Sequence, residues 1–209
     1  MDACRKRLQA GLDELNLTLG DEQIDRLLSF IGLIDKWNKA FNLTSIRDPE
    51  AMVSLHLLDS LAVLPHVAGQ TVIDIGTGAG LPGIPLAVCR PDKTFTLLDS
   101  NSKKTRFVQQ AVLELKLPNV QVCHGRVEGF TSEHLFDTVI TRAFTNLPDM
   151  LKMTRHLIAP GGVLLAMKGQ YPEQELRQIG GDATVIPIRV PGIEAQRCLI
   201  QINKPTQRE

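Results

Sequence analysis

Between Asp21 and Ala40 the apolar residues Ile24, Leu27, Leu28, Ile31, Ile34 and Trp37 return at helical spacing. That period predicts one amphipathic helix, with Asp21 as its N-cap. A shorter helix is expected before it, around Arg5 to Leu17, and another after Asp48-Pro49, turning Met52, Leu55, Leu58, Ala62 and Val63 inward. From Thr71 the pattern changes to short β-rich runs at Thr71 to Gly76, Thr94 to Asp99, Asn119 to Cys123 and Asp137 to Thr141. The segments between them can hold helices, with candidates at Leu81 to Arg90, Lys103 to Leu117 and Leu147 to Ile158. Such alternation is the pattern of a parallel sheet with crossover helices. Ala159-Pro-Gly-Gly162 reads as a turn before a further strand, Val163 to Met167. Ala183 to Val190 and Arg197 to Asn203 are joined only by Pro191 to Gln196, too short for a crossover helix, so they are expected to pair antiparallel.

Composition narrows the class. A chain of 209 residues, 43% hydrophobic and 22% charged, is long enough for one sizeable core and short for two. The expected organisation is an N-terminal helical extension over residues 1–66, packed on a core of residues 67–209. The first apolar stretch is broken by charged residues and no apolar run approaches membrane length, so a cytoplasmic protein without signal peptide or membrane contact is expected, acting as a monomer. Cys4, Cys89, Cys123 and Cys198 are scattered and lack companion histidines, which predicts reduced thiols and no metal site. Lys+Arg and Asp+Glu both total 23, so nothing global draws the chain to nucleic acid and any RNA surface has to be local.

The densest chemical signal is Asp74-Ile-Gly76-Thr-Gly78-Ala-Gly80-Leu81-Pro-Gly83, where a buried strand turns into the first crossover. Alone, such a loop fits a nucleotide, a methyl donor or an ordinary tight turn. Two acids sharpen it. Asp74, in an otherwise apolar strand, needs a partner, and the amino group of a methionine moiety supplies one directly or through water. Asp99 ends the next strand, with Ser100 beside it, where a carboxylate can accept from both hydroxyls of a ribose. A dehydrogenase shares the Asp99 logic. However, Leu81 stands where the third glycine of a dinucleotide loop belongs, and Pro82 and Pro85 disturb the helix start that would cradle a pyrophosphate. S-adenosylmethionine carries no phosphate and loses nothing there. With parallel strands closed by an antiparallel hairpin, the chain resembles the α/β class I S-adenosylmethionine-dependent methyltransferase fold, Rossmann-like with a seven-stranded sheet, more than the dinucleotide-binding fold.

Ligands of open α/β sheets bind beyond the carboxyl ends of the strands, and cations recur there. Lys103, Lys104 and Arg106 follow the second strand, Arg126 the third, Arg142 the fourth and Lys168 the fifth. The recurrence points to a local RNA-binding surface, with Arg142 and Lys168 as the candidate catalytic residues. The segment Thr141-Arg-Ala-Phe144 stands where enzymes acting on exocyclic amines carry an Asn/Asp-Pro-Pro-aromatic run, and neither Cys89 nor Cys123 is placed as a nucleophile for pyrimidine C5. Guanine N7 has an in-plane lone pair and needs alignment rather than a strong base. Its edge faces a deep, narrow groove in duplex RNA, so the target should be unpaired or extruded. Phe144 either stacks on that base or fills the core. A ribose 2′-hydroxyl methyltransferase built on Lys168 with Glu194 and Lys204, a non-catalytic binding protein, and an NAD enzyme remain as rival readings.

Several blocks in order carry a closer resemblance. Trp37-Asn-Lys-Ala-Phe-Asn42-Leu-Thr44, His56-Leu-Leu-Asp59-Ser60, the glycine loop, Leu98-Asp-Ser100, Arg126-Val-Glu128, Thr141-Arg-Ala-Phe144 and Lys168-Gly169 resemble the bacterial glucose-inhibited division protein B family, also called ribosomal small subunit methyltransferase G. The resemblance implies S-adenosylmethionine-dependent methylation of N7 of guanine 527 in 16S rRNA, offered as naked RNA, as an assembly intermediate or within the small ribosomal subunit. It also implies donor contacts at Gly76, Leu81, Val127, Glu128 and Arg142, of which the residues themselves support Gly76 and Arg142. Asn42 and Asp59 are expected to form a satisfied structural network rather than a catalytic pair, and His56 is expected to be structural.

Overall fold

The computed structural model describes residues 2–180 and 183–204; residues 1, 181–182 and 205–209, which the expected division assigns to its two parts, lie outside them. The chain opens with α1 (Asp2–Glu14) and α2 (Asp21–Phe41). The first helix is shifted about one turn toward the N-terminus from its expected position. Gly20, not Asp21, holds the cap position of α2, and its N–H donates to the Gln23 side chain at 3.1 Å. Asp21 and Glu22 fall in the first turn, where their charge suits the helix dipole. Ile24, Leu27, Leu28, Ile31 and Ile34 are all buried, as their spacing predicted.

The third helical stretch departs from the simple period. Asp48 caps α3 (Pro49–Met52) by accepting from Ala51 N, a π-helical segment follows over Val53–Leu58, and α4 (Asp59–Leu61) completes it. In the π segment the N–H of Asp59 reaches back five residues to Ser54 O. The widened turn rotates the faces of the helix. Val53, Leu57 and Leu61 join the core, while Leu55 is left half-buried at the edge of a cleft.

The sheet runs β3-β2-β1-β4-β5-β7-β6. Its strands are β1 (Thr71–Ile75), β2 (Thr94–Asp99), β3 (Val120–His124), β4 (Phe136–Arg142), β5 (Ile158–Lys168), β6 (Ala183–Ile188) and β7 (Arg197–Asn203). The first five are parallel, and β7 pairs antiparallel with both β5 and β6. The crossovers carry α5 (Gly83–Cys89), α6 (Ser102–Glu114) and α7 (Leu147–Thr154), each starting within two residues of its expected position. Between β3 and β4 only a 3₁₀ turn, Val127–Gly129, stands in for a helix, and α8 (Glu173–Ile179) is an element that periodicity did not single out. The expected turn at Ala159 to Gly162 is instead a bulge inside β5. Pairing with β4 slips from Phe136↔Ile158 to Thr138↔Val163. Gly162 is required there, since a Cβ would lie 3.0 Å from the carbonyl oxygens of both Phe136 and Asp137.

Each face of the sheet has its own core. α1, α2, the π segment, α5 and α6 share one apolar cluster with one face, which includes Leu8, Phe30, Leu57, Ile84 and Phe107. The 3₁₀ turn and α7 cover the other through Val127, Leu147 and Met150. Within that cluster α2 packs on α5 and α6, and α1 packs on α2 and the π segment. No helix among the described residues is long and apolar enough to cross a membrane.

Candidate active site

Strand order reverses between β1 and β4, and the carboxyl ends of these strands frame a crevice where ligands of open α/β sheets collect. Two clefts open there. The first, about 460 Å³, is lined by Gly76, Asp99, Ser100, Lys104, Arg126, Val127, Glu128 and Phe144 among others. The second, about 410 Å³, is lined by Leu55, Asp59, Arg142, Lys168, Arg197 and Cys198 among others. Ala143 borders both. Its φ of 52° lies in the left-handed region, uncommon for alanine. The conformation sends its neighbours to opposite sides, Arg142 to the second cleft and Phe144 to the first.

The head of the glycine loop, Gly76, lines the first cleft. Gly76 has φ 69°, and a Cβ on it would stand 2.8 Å from the Phe144 ring, so only glycine lets the ring and loop approach this closely. Asp74 is wholly buried. One of its oxygens accepts from Thr77 Oγ1 at 2.7 Å and Gly83 N at 2.9 Å, pinning both ends of the loop. The other, Oδ1, is buried with no partner among the described residues. Burial pushes the carboxyl up to about 6, against the bonds from Thr77 and Gly83. Asp99 accepts from Gly78 N and Asn101 N at 2.8 Å, one per oxygen. A carboxylate oxygen has two lone pairs, so each retains capacity for a further donor from the cleft.

The second cleft is built around one carboxylate. Asp59, 5% exposed, accepts from Arg142 Nη1 at 3.2 Å through Oδ2 and from Arg197 Nε at 3.1 Å through Oδ1. Arg142 Nη1 also donates to Leu55 O at 3.3 Å, a carbonyl that the π segment leaves without the Asp59 N–H. Lys168 Nζ donates to Thr145 O at 3.0 Å and to Glu175 at 2.9 Å, and the same Glu175 oxygen accepts from Leu147 N at the start of α7. Beneath the cleft, His56 Nε2 lies 3.0 Å from Thr44 Oγ1. Burial, then the charge of Arg142, lowers His56 to about 4, so it is neutral at pH 7.

The expected residues therefore divide. Gly76, Asp99, Ser100, Val127 and Glu128 meet in the first cleft, joined by Lys104, Arg126 and Phe144, which the sequence had assigned to RNA. The ring of Phe144 takes neither expected role alone: it packs against the second core cluster and closes the glycine loop, away from the cleft of Arg142. Lys103 and Arg106 are exposed on α6 outside both clefts. Leu81 is buried behind the loop and Gly78 acts through its N–H on Asp99. Asn42 is an exposed left-handed cap of α2, and it is Asn38 that ties this region by bonding Thr44 and Ile46. Arg197 and Cys198 were missed. Register brings them in, since β7 pairs Cys198 with Lys168. The Cys198 thiol donates to Gln170 O, and burial raises it despite Lys168 nearby, so it is no ready nucleophile.

The GidB family, described as rRNA small subunit methyltransferase G, matches residues 23–197. The chain belongs to that family. Its relatives include Ribosomal RNA small subunit methyltransferase G of Methylobacillus flagellatus, 50% identical over 197 residues, covering 94% of this chain and 96% of that protein. The protein of the same name from Legionella pneumophila is 50% identical over 199 residues, covering 95% and 94%. Solved structures share the architecture at lower identity. A methyltransferase from Geobacter sulfurreducens superposes with TM-score 0.63 at 15% identity, over 95% of this chain and 97% of that one. A SAM-dependent methyltransferase from Aquifex aeolicus gives 0.56 at 20%, over 84% and 97%. The fold of this member of the methyltransferase G family is the class I methyltransferase fold, as its strand spacing implied.

Proposed function

We propose that the chain transfers a methyl group from S-adenosylmethionine to N7 of a guanine in 16S rRNA, guanine 527 in the family's numbering of the RNA. The observation that carries this reading is the junction at Ala143 of a nucleoside-sized cleft bordered by Gly76 with a second cleft lined by fixed cations. The first cleft suits the donor. Asp99 would take the ribose hydroxyls on its remaining lone pairs, and Val127 and Glu128 would flank the adenine. Asp74 lies outside the wall of this cleft, so its buried, unpartnered Oδ1 would meet a positively charged amino group through water, which would also favour the ionised carboxyl. When bound, the donor supplies an electrophilic methyl on a sulfonium.

The residues of the second cleft would hold the base. Guanine O6 and N7 are both acceptors on one edge, and Arg142 donating to O6 would leave the N7 lone pair directed along the junction. No proton leaves N7 on methylation, so the site needs alignment and no general base. The cleft fits this need. Its carboxylate, Asp59, is engaged by two guanidiniums, and its lysine is tied to Glu175. Asp59 also offsets the surrounding positive charge while the ring becomes cationic.

The ribose 2′-hydroxyl reading required Lys204 beside Lys168. Lys204 instead donates to Ile158 O at 2.6 Å, next to Asn203, which marks the opposite end of the β5–β7 ladder from Lys168. The proposal is tested by transferring labelled methyl from S-adenosylmethionine to unmodified small-subunit RNA and then cleaving chemically at N7-methylguanine. Label at one cleavable guanine is the expected result. Label that resists cleavage would move the target atom, and no label on RNA or on the subunit, despite donor binding, would favour a non-catalytic role.

A further inference from the structure

The second cleft does not end at Arg197. An apolar groove of about 350 Å³ continues from it, sharing Ile188, Arg197 and Cys198, with Tyr171, Val185 and Pro187 forming the new walls. The sheet builds this continuity. Cys198 pairs with Lys168 on one side and with Pro187 on the other, so three adjacent strands line the passage. Tyr171 is the only tyrosine of the chain and is 60% exposed, in the loop between β5 and α8. A ring held open to solvent against an apolar wall offers a face to another ring.

Arg197 marks the junction. Its Nε is fixed on Asp59 and its Nη1 on Gln196 O, and its Nη2 has no protein acceptor among the described residues. One fixed guanidinium nitrogen between two cavities, one sized for the target base and the other apolar with an aromatic rim, matches the repeat of single-stranded RNA: base, phosphate, base. Stacking on exposed aromatic rings beside a cation is how proteins commonly hold unpaired nucleotides. We infer that this groove is a subsite for the base of the nucleotide adjoining the methylated guanine, which stacks on Tyr171 while Arg197 Nη2 bonds the phosphate between them. The inference rests on the RNA reading above and adds a contact to the sequence around the target.

The test uses the full chain and an RNA carrying the target guanine in an unpaired loop, with 2-aminopurine placed in turn on either side of that guanine. On binding, fluorescence at one flank should be quenched with wild-type protein and with Tyr171→Phe, and restored with Tyr171→Ala. In methyl transfer, Tyr171→Ala should raise the KM for RNA about tenfold, the scale of one lost base stack, with kcat and donor affinity unchanged. An abasic residue at the quenched flank should raise the wild-type KM equally and leave the alanine variant unaffected. Wild-type KM in Tyr171→Ala, or no quenching at either flank of bound RNA, would overturn the subsite alone. Failure of both this RNA and the unmodified small subunit to bind or accept methyl would instead overturn the RNA reading on which it depends.

Discussion

Asp59→Ala would remove the one carboxylate that spans the two arginines of the second cleft while leaving the apolar packing of the π segment in place. Each of its oxygens carries one charged hydrogen bond, at 3.2 Å to Arg142 and 3.1 Å to Arg197. Bonds to charged groups contribute about 1.5–3 kcal/mol each, so the pair sets a ceiling of ~3–6 kcal/mol. The arginine side chains keep 24% and 26% of their exposure, so water recovers part of that loss. The two cations left facing each other act in the opposite direction. A destabilisation of about 2–4 kcal/mol is expected, which for a chain of this size lowers Tm by roughly 5–15 °C. Thermal and urea unfolding measure it, with Asp59→Asn losing less than Asp59→Ala. Methyl transfer should fall at least ~10-fold, because an unanchored Arg142 no longer orients the base. Donor affinity should fall by less than transfer does, since Asp59 does not line the donor cleft and is coupled to it only through Ala143. A variant with wild-type Tm and wild-type transfer would refute the view that this carboxylate organises the cleft.

Gly76→Ala forces a left-handed alanine, costing about 1–2 kcal/mol, and pushes a methyl against Phe144. Isothermal titration should show donor affinity at least ~10-fold weaker, since the displaced ring and loop both wall the donor cleft. Asp99→Ala should weaken donor binding by about 10–100-fold through the loss of charged hydrogen bonds, and an unchanged dissociation constant would contradict the ribose assignment. The pH dependence of stability pits two buried groups against each other. His56, lowered by burial and Arg142 to about 4, contributes stability that is complete above 6.5 and is lost as pH falls through about 4, whereas Asp74, raised by burial to about 6, contributes stability that is complete below 3.8 and is lost as pH rises through about 6. His56→Gln keeps only the second, so between pH 4 and 6 its stability should decline relative to wild type by about 2–3 kcal/mol, measured by urea unfolding; parallel curves would refute the two assignments.

The sheet was legible because each buried strand is a short β-rich run between polar or glycine-containing segments, and β2 and β7 fall at their expected bounds. The glycine loop and Asp99 were legible because their chemistry is local: a strand end, a turn and the next strand end. What was hidden depends on register or on helix geometry. A 3.6-residue period cannot anticipate the π turn at Val53–Leu58, so Leu55 was placed in the core rather than at the cleft. The bulge in β5 uses the same Pro-Gly-Gly signal as a turn, and only the facing strand decides between them. Arg197 and Cys198 lie some thirty residues beyond Lys168 and meet it only because β7 inserts beside β5, a pairing that fixes which end of the hairpin faces the site. Glu175 was invisible for a similar reason, as a surface acid until α8 folds back to bind Lys168 and cap α7.

The two clefts depend on each other through the backbone at the end of β4. In a regular strand residues two apart face the same way, so at the end of β4 a further device is needed to direct Arg142 and Phe144 into separate cavities. Ala143 supplies it with a left-handed conformation that an alanine adopts only when its surroundings hold it there. The restraints are visible on both sides. Phe144 is wedged against Gly76 on the donor side, and Arg142 is held by Asp59 and Leu55 O on the other. The N-terminal helices, which sequence alone leaves as an appendage, thus contribute a carboxylate and a carbonyl to the second cleft. Loss of either restraint frees the strained residue between them, so damage to the base cleft should be felt at the glycine loop although they share only Ala143.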